Sequence, residues 1–291
     1  MDAPLRLRGH GLELAADAYG PDDGPPVLLF PGGGQTRHSW DGTARLLGNK
    51  GWHATTVDLR GHGDSDWAAD GDYSLDAFAA DVRVVARTSG RAHHRAPALV
   101  GASLGGISSL IAIAEENPAG AEPVANALVL VDVAPRLEPA GVARIGAFML
   151  DHLDGFASLE EVADAVAAYN PHRPRPSDLS GLRKNVRRHD DGRWYWHWDP
   201  RFMTPGRIDE PRSIRNEDRL EDAARALTLP VLLVRGRQSD VLSEAGARHL
   251  QALVPHARSV DVAGAGHMVA GDRNDVFNDA VVAFLEETLP I

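Results

Sequence analysis

The chain has 291 residues, 43% hydrophobic and 24% charged, so it can bury the core of one large domain or two ordinary ones. Its formal net charge of −11 disfavours nucleic acid as a partner, and the absence of cysteine excludes disulfides and thiolate metal sites. No apolar stretch approaches the roughly 18 residues of a membrane span, and residues 1–20 lack a secretory pattern, so we expect a cytoplasmic protein without membrane contact.

Short apolar strands alternate with helical stretches, which is typical of an α/β fold with a mostly parallel central sheet flanked by helices. Near-continuous runs such as VLLF at 27–30 and ALVLV at 127–131 are expected where both faces of a strand are covered. Residues 12–19 predict an antiparallel strand before them. The other predicted strands are 54–57, 98–100, 231–234 and 259–262, and the predicted helices are 75–87, 104–115, 244–253 and 275–288.

The alternation stops between about residues 136 and 227, which indicates an insertion. Inside it, a capping-box pattern begins at Ser158, and apolar residues then recur at helical spacing up to Tyr169. We therefore predict a core domain made of residues 1–135 and 228–291, with residues 136–227 forming a helical lid over the carboxyl edge of the sheet.

The segment Gly101-Ala-Ser-Leu-Gly105 places the hydroxyl of Ser103 between two glycines, directly after a predicted strand. It matches G-x-S-x-G, in which the serine occupies a strained turn between a strand and a helix. The glycines are needed because a Cβ would collide with the neighbouring strand and helix. The turn directs the first amides of the helix at the reacting carbon, so the Leu104 N–H is a candidate oxyanion donor. The motif alone is weak, since an ordinary strand–helix turn can share it.

A second glycine run, Gly32–Gly34, follows the strand VLLF. Without side chains in the way, backbone N–H groups can approach a bound oxygen. The position directly after a buried strand favours an oxyanion loop over a merely flexible turn.

Asp240 and His267 follow the predicted strands 231–234 and 259–262. With Ser103 they give the chain order Ser…Asp…His, each member at the carboxyl end of a different strand. This order favours a catalytic triad over a turn-forming aspartate and a loop histidine. Asp132, at the end of ALVLV, is the alternative acid; Asp240 is preferred because it has the usual place in the order.

These motifs resemble the α/β-hydrolase superfamily, specifically its lidded esterase, lactonase and epoxide-hydrolase-like branch with a serine nucleophile. The resemblance covers nearly the whole chain and includes DLRGHGDS at 58–65, which is similar to the family's D-x-R-G-x-G-x-S turn. That likeness implies a structural role for His62 rather than a catalytic one. It also implies that the lid is inserted after the sixth strand.

Carried onto this sequence, the resemblance implies that Ser103 is the nucleophile, His267 the general base and then acid, and Asp240 the residue that orients the imidazole. It further implies an oxyanion hole formed by the amides of Leu104 and of Gly33 or Gly34. Pro31 departs from the family pattern, where a histidine usually helps to hold this loop through hydrogen bonds that proline cannot make.

The segment RWYWHWDPR at 193–201 is the most unusual local stretch of the chain. In an extended conformation Trp194, Trp196 and Trp198 share one face, while Tyr195 and His197 share the other. The rings, together with Met268 beside His267, are candidates for an apolar substrate wall. An equally supported interpretation is that the rings anchor the lid to the core domain.

The sequence thus predicts a cofactor-independent serine hydrolase that has no metal site and cleaves esters or lactones of small to medium apolar molecules. A serine suits attack on a carbonyl carbon, whereas relatives that open epoxides use aspartate, so epoxide hydrolysis is disfavoured. The same triad would also serve acyl transfer, perhydrolysis or carbon–carbon bond hydrolysis. A non-catalytic small-molecule receptor on this fold is the remaining alternative.

Overall fold

The computed structural model describes residues 4–115, 122–170, 175, 178–203, 216–269 and 274–291. Within them, eight strands form one sheet in the order β1-β2-β4-β3-β5-β6-β9-β10, and two more pair separately. The strands are β1 (Leu5–Arg8), β2 (Glu13–Tyr19), β3 (Pro26–Phe30), β4 (His53–Val57), β5 (Ala98–Ala102), β6 (Ala127–Val131), β7 (Val186–Arg188), β8 (Trp194–Trp196), β9 (Val231–Gly236) and β10 (Arg258–Val262).

Helices cover both faces of this sheet. The described helices are α1 (Asp41–Asn49), α2 (Leu75–Ala92), α3 (Leu104–Ala114), α4 (Pro139–Leu150), α5 (Leu159–Tyr169), α6 (Glu217–Arg225), α7 (Glu244–Leu253) and α8 (Asn274–Thr288), and two of them, α4 and α5, belong to the insertion. None of those in the described part of the chain has the length and apolarity needed to cross a membrane.

The sheet has the predicted character: β2 is antiparallel to its neighbours, and from β4 to β10 all pairings are parallel. Side chains alternate between two cores, so that Leu28 and Phe30 of β3 pack in one cluster with α2, α3 and α7. Val27 and Leu29 pack in the other, with α1 and α8. Because parallel strands end at one edge, the loops after β3, β5, β6, β9 and β10 meet there.

The insertion after β6 begins with α4 and α5 and contains a feature that was not predicted, the antiparallel hairpin β7–β8. Helix α5 starts at the predicted cap, where Ser158 Oγ accepts from Glu161 N at 3.3 Å. The Glu161 carboxylate in turn accepts from Ala157 N at 2.7 Å. These elements share a separate core around Phe156, Trp196 and Trp198, which we call the cap core.

One helix near the end of the predicted lid range packs against the core domain. Helix α6 places Leu220, Ala223 and Ala224 in the core that contains α3 and α7, and Arg219 on α6 pairs with Glu115 at 2.6 Å. In the described residues the cap elements therefore run from α4 to the 3₁₀ turn at Pro200–Met203, while the boundary at 227 remains a prediction.

Candidate active site

Ser103 occupies a sharp turn between β5 and α3, with φ 46° and ψ −115°. Its backbone N–H donates to Val131 O at 3.2 Å, which ties the turn to the end of β6. A Cβ on Gly101 would lie 2.6 Å from Gly105 O, and a Cβ on Gly105 would lie 2.5 Å from Phe30 O. The two glycines are therefore required by the close approach of strand and helix, and Ser103 between them is partly exposed.

This backbone conformation predicts a measurable stability cost. A non-glycine residue in such a region costs about 1–3 kcal/mol, and glycine removes the Cβ responsible while adding some entropy to the unfolded chain. We expect Ser103→Gly to be more stable than Ser103→Ala by about 1 kcal/mol, because alanine keeps the Cβ. Urea unfolding of the two variants measures the difference; equal stabilities would mean that the turn stores no strain.

The imidazole of His267 is held by a buried aspartate at the end of β6. His267 Nδ1 donates to Asp132 Oδ2 at 2.7 Å, and the Asp132 side chain is fully buried. Asp132 Oδ1 also accepts from Gly236 N at 2.9 Å. This bond fixes the imidazole tautomer, with the proton on Nδ1 and a lone pair on Nε2. Because Ser103 N is bonded to Val131 O, Asp132 follows directly beside the nucleophile turn.

Asp240 does not lie against His267 as predicted; the carboxylate that contacts the imidazole is that of Asp132. The Asp240 carboxylate instead accepts from Arg144 Nε on α4 at 2.7 Å, in a pair whose side chains are each about two-fifths exposed. Burial opposes ionisation there, but the hydrogen bond from Arg144 prevails and lowers the pKa of Asp240. Its place at the end of β9 is as predicted, but its side chain points to the cap.

Ser239, the residue before Asp240, supports the Asp132 carboxylate and was not singled out from the sequence. Its Oγ donates to Asp132 Oδ2 at 2.5 Å and accepts from Val241 N and Leu242 N at 3.1 Å. A serine in a turn after a strand is a common turn former, so the local sequence carried no signal for this contact.

The predicted oxyanion loop forms a turn closed by Gln35 N donating to Gly32 O at 3.1 Å. A Cβ on Gly32 would lie 3.3 Å from Ser103 Cβ, and one on Gly33 would lie 3.6 Å from the side chains of Leu104 and Phe202. Leu104 is the first residue of α3, whose N–H has no acceptor within the helix. The structure thus brings the loop, Ser103 and the start of α3 together.

Two further contacts fix this loop from outside. Gln35 Nε2 lies 2.8 Å from Met268 Sδ, next to His267. Buried Arg37 donates its backbone N–H to Asp58 Oδ1 at 2.6 Å, and its guanidinium bonds Asp58 at 2.5 Å and Asp64 at 2.9 Å. The turn DLRGHGDS therefore serves as the anchor for the oxyanion loop.

His62 in that turn is fully buried and faces the ring of Phe202, with centroids 5.1 Å apart. Its Nδ1 donates to Arg60 O at 2.9 Å, and its Nε2 has no hydrogen-bond partner among the described residues. Burial lowers the pKa of His62 to about 4, so the ring is neutral near pH 7. The buried, uncharged environment of His62 agrees with a structural role for this residue rather than a catalytic one.

The depressed pKa of His62 predicts a pH dependence of stability. Between pH 6.5 and about 4 the unfolded chain binds a proton on His62 that the folded protein does not. Stability is therefore lost as pH falls through this window, by at most about 3 kcal/mol from this residue. In His62→Asn, whose amide can still donate to Arg60 O, we expect a flatter profile of unfolding free energy against pH; an unchanged slope would contradict this origin.

The rings of the aromatic segment 193–201 lie in different surroundings. Trp196 and Trp198 are buried in the cap core and stack with centroids 4.9 Å apart, and a Cβ on Gly34 would lie 3.5 Å from Trp198 Cζ3. Trp194 packs under Arg183, and Tyr195 donates to Asp191 at 2.7 Å, away from the loop. Trp198 thus lies beside the loop Gly32–Gly34, while Trp196 packs inside the cap core. Met149 and Phe202, which were not predicted from the sequence, also lie where a Cβ on Gly34 or Gly33 would contact them.

The sequence and the fold are similar to those of known hydrolases. A family model described as alpha/beta hydrolase fold matches residues 25–273. The chain is 32% identical over 255 residues to Esterase Rv0045c of Mycobacterium tuberculosis, covering 86% of this chain and 78% of that protein. It is 29% identical to the 3-hydroxybutyrate-oligomer hydrolase of Cupriavidus necator, covering 87% and 86%. The crystal structure of E-2-(acetamidomethylene)succinate hydrolase superposes with a TM-score of 0.82 over 97% of this chain and 98% of that one, at 24% identity, and shows the fold alone.

Proposed function

Because the chain belongs to the α/β-hydrolase family and is a hydrolase, we propose that it cleaves carboxylic esters or lactones through an acyl-enzyme on Ser103. The observation that carries the proposal is the 2.7 Å hydrogen bond between His267 and fully buried Asp132, beside the strained turn of Ser103. That bond leaves a lone pair on His267 Nε2, which is the group that a serine nucleophile needs as its base.

In the proposed reaction, Ser103 Oγ attacks the carbonyl carbon while its proton passes to His267 Nε2. The carbonyl oxygen becomes an oxyanion that accepts hydrogen bonds from the amides of Leu104 and of Gly33 or Gly34. The intermediate collapses when His267 gives its proton to the leaving alcohol. A water molecule deprotonated by His267 then attacks the acyl carbon, and the acid leaves as Ser103 recovers its proton.

Asp132 has two roles in this scheme. It holds the imidazole in the tautomer that presents Nε2, and its negative charge stabilises the imidazolium formed during attack. The hydrogen bonds from Gly236 N and Ser239 Oγ keep the carboxylate in place and give its fully buried oxygens polar partners.

The proposed substrate class is inferred from the side chains around the oxyanion loop. A Cβ on Gly33 would meet Leu104 and Phe202, and one on Gly34 would meet Met149 and Trp198, so the side chains beside the loop are apolar. Such side chains favour small to medium apolar acyl or alcohol groups. The names of the two relatives, an esterase and a hydrolase of 3-hydroxybutyrate oligomers, support esters as the first class to examine.

A screen of p-nitrophenyl esters of increasing acyl length, aliphatic lactones and 3-hydroxybutyrate dimer tests the proposal, with Ser103→Ala run in parallel. We expect turnover of short and medium esters that is absent in the variant. Analysis of the products formed in the presence of competing alcohol or peroxide shows whether the acyl group is transferred to water or to another acceptor. A protein that hydrolyses nothing in the screen and resists a fluorophosphonate probe would contradict the proposal.

A further inference from the structure

The oxyanion loop receives a hydrogen bond from the cap, through His197, which lies between Trp196 and Trp198. The ring is 2% exposed and contacts two segments of the core domain at once. Its Nδ1 accepts from Gly63 N at 2.7 Å, and its Nε2 lies 3.2 Å from Gly34 O. Because Nδ1 accepts, the proton is on Nε2, which therefore donates to the Gly34 carbonyl.

The loop needs such a contact, because two adjacent glycines, Gly33 and Gly34, form its turn and have wide conformational freedom. Gly34 has φ 75°, in the left-handed region. Pro31, at the start of the loop, has neither an N–H nor a polar side chain, and its carbonyl already accepts from Gly105 N at 3.1 Å. Pro31 thus offers no donor to Gly34 O, and the donor that the structure shows is His197 of the cap.

The other bond of His197 leads back to the same loop. Gly63 belongs to the turn DLRGHGDS, and a Cβ on Gly63 would collide with the carboxylate of Asp58. Asp58 in turn accepts the backbone N–H of Arg37, which follows the oxyanion loop. His197 thus closes a ring of contacts that holds the loop at Gly34 and at Arg37.

The neutral ring suits this double role, since one nitrogen must donate while the other accepts. Complete burial holds the pKa of His197 well below its usual value, so the imidazole is uncharged at neutral pH. A second cap residue, Arg187 on β7, bonds Asp64 in the same turn at 2.7 Å and keeps the two parts together.

We propose that His197 is a positioning residue that aligns the oxyanion-loop amides by holding the Gly34 carbonyl from the cap. This inference rests on the proposed function, in which those amides bind the oxyanion. It requires that losing the bond to Gly34 weakens binding of the transition state while substrate affinity is nearly kept.

Three substitutions separate the two hydrogen bonds. His197→Gln can still donate to Gly34 O from a nitrogen near the position of Nε2. His197→Asn can still accept from Gly63 N but falls short of Gly34. His197→Phe keeps the packing and loses both bonds. The matched control is His189→Asn, the same change at an exposed histidine of the cap.

The variants are compared by kcat and KM per titrated active site and by the Ki of a trifluoromethyl ketone, whose adduct carries an oxyanion. We expect kcat to fall about 10- to 100-fold in the Asn and Phe variants with KM changed less than about threefold. Ki should rise by the same factor as kcat/KM falls. The Gln variant should retain most activity, and His189→Asn all of it.

Unchanged kcat in the Asn and Phe variants, or a Ki that stays constant while activity falls, would overturn the inference. Melting temperature and titrated fraction identify any variant that fails to fold, and whichever of the Asn and Phe variants folds then decides by its Ki. If the wild-type protein cleaves no ester, the rate of Ser103 phosphonylation by a fluorophosphonate replaces kcat. Slowed labelling in the Asn and Phe variants, with the Gln variant unaffected, would then support His197 although ester hydrolysis had failed.

Discussion

Ser103→Ala is expected to lower kcat toward p-nitrophenyl esters by about 10⁴-fold or more, because the change removes the atom that would bond the acyl carbon. The residual rate would come from the oxyanion loop and from substrate binding alone. The fold should persist, since alanine keeps the Cβ and the backbone bond from residue 103 to Val131 O does not depend on the side chain.

The control for this variant is Ser109→Ala in α3, the helix that follows Ser103. This change removes a buried hydroxyl that donates to Gly105 O at 2.7 Å. We expect its kcat to stay within about threefold of the wild-type value. A fluorophosphonate should label the wild-type and Ser109→Ala proteins and leave Ser103→Ala unlabelled by mass spectrometry. Wild-type turnover by correctly folded Ser103→Ala would refute the nucleophile.

The main sheet and the nucleophile turn were readable from the sequence because strong local constraints specify them. The strand predicted at 127–131 coincides with β6, and continuous runs of valine and leucine also marked the neighbouring parallel strands. Glycine is required at positions 101 and 105 because backbone atoms lie within 2.6 Å of any added Cβ. The two glycines in the sequence therefore indicate the close approach of strand and helix.

Elements whose formation depends on distant contacts were missed. Helix α4 contains Gly141 and Gly146, which weaken its helical pattern. Gly141 is required because the Asp240 carbonyl lies where a Cβ would be, and that contact spans about a hundred residues of sequence. Strand β1 is short and lies at the edge of the sheet, with Leu5 half exposed, so its apolar signal is weak.

The choice between Asp132 and Asp240 likewise depends on contacts between residues distant in sequence. Both aspartates follow a strand of the sheet, and chain order alone favoured Asp240. Two features of the tertiary structure determine which aspartate bonds His267. Asp132 has φ 50° and directs its carboxylate toward Gly236 and His267. Asp240 is instead paired with Arg144 of the cap. Neither the positive φ nor the partner from α4 is visible in the local sequence.

Asp132→Asn is accordingly expected to reduce kcat by about 10³- to 10⁴-fold. An asparagine can still accept from Gly236 N, but it then presents an amide N–H to His267 Nδ1. That contact favours the tautomer with the proton on Nε2, which cannot take the proton of Ser103. Asp240→Asn is the matched control; it breaks an exposed pair with Arg144, worth about 0–1 kcal/mol, and should keep kcat within about tenfold.

The two variants are compared by kcat per titrated site and by proton NMR of the imidazole. The Nδ1 proton of His267, bonded to a buried carboxylate, should give a low-field resonance that Asp240→Asn keeps and Asp132→Asn loses. If Asp240→Asn were the inactive variant and lost this resonance, the pairing of His267 with Asp132 would be wrong and Asp240 would be the acid in solution. Loss in both variants would mean that both carboxylates are needed to hold the Nδ1 proton of His267.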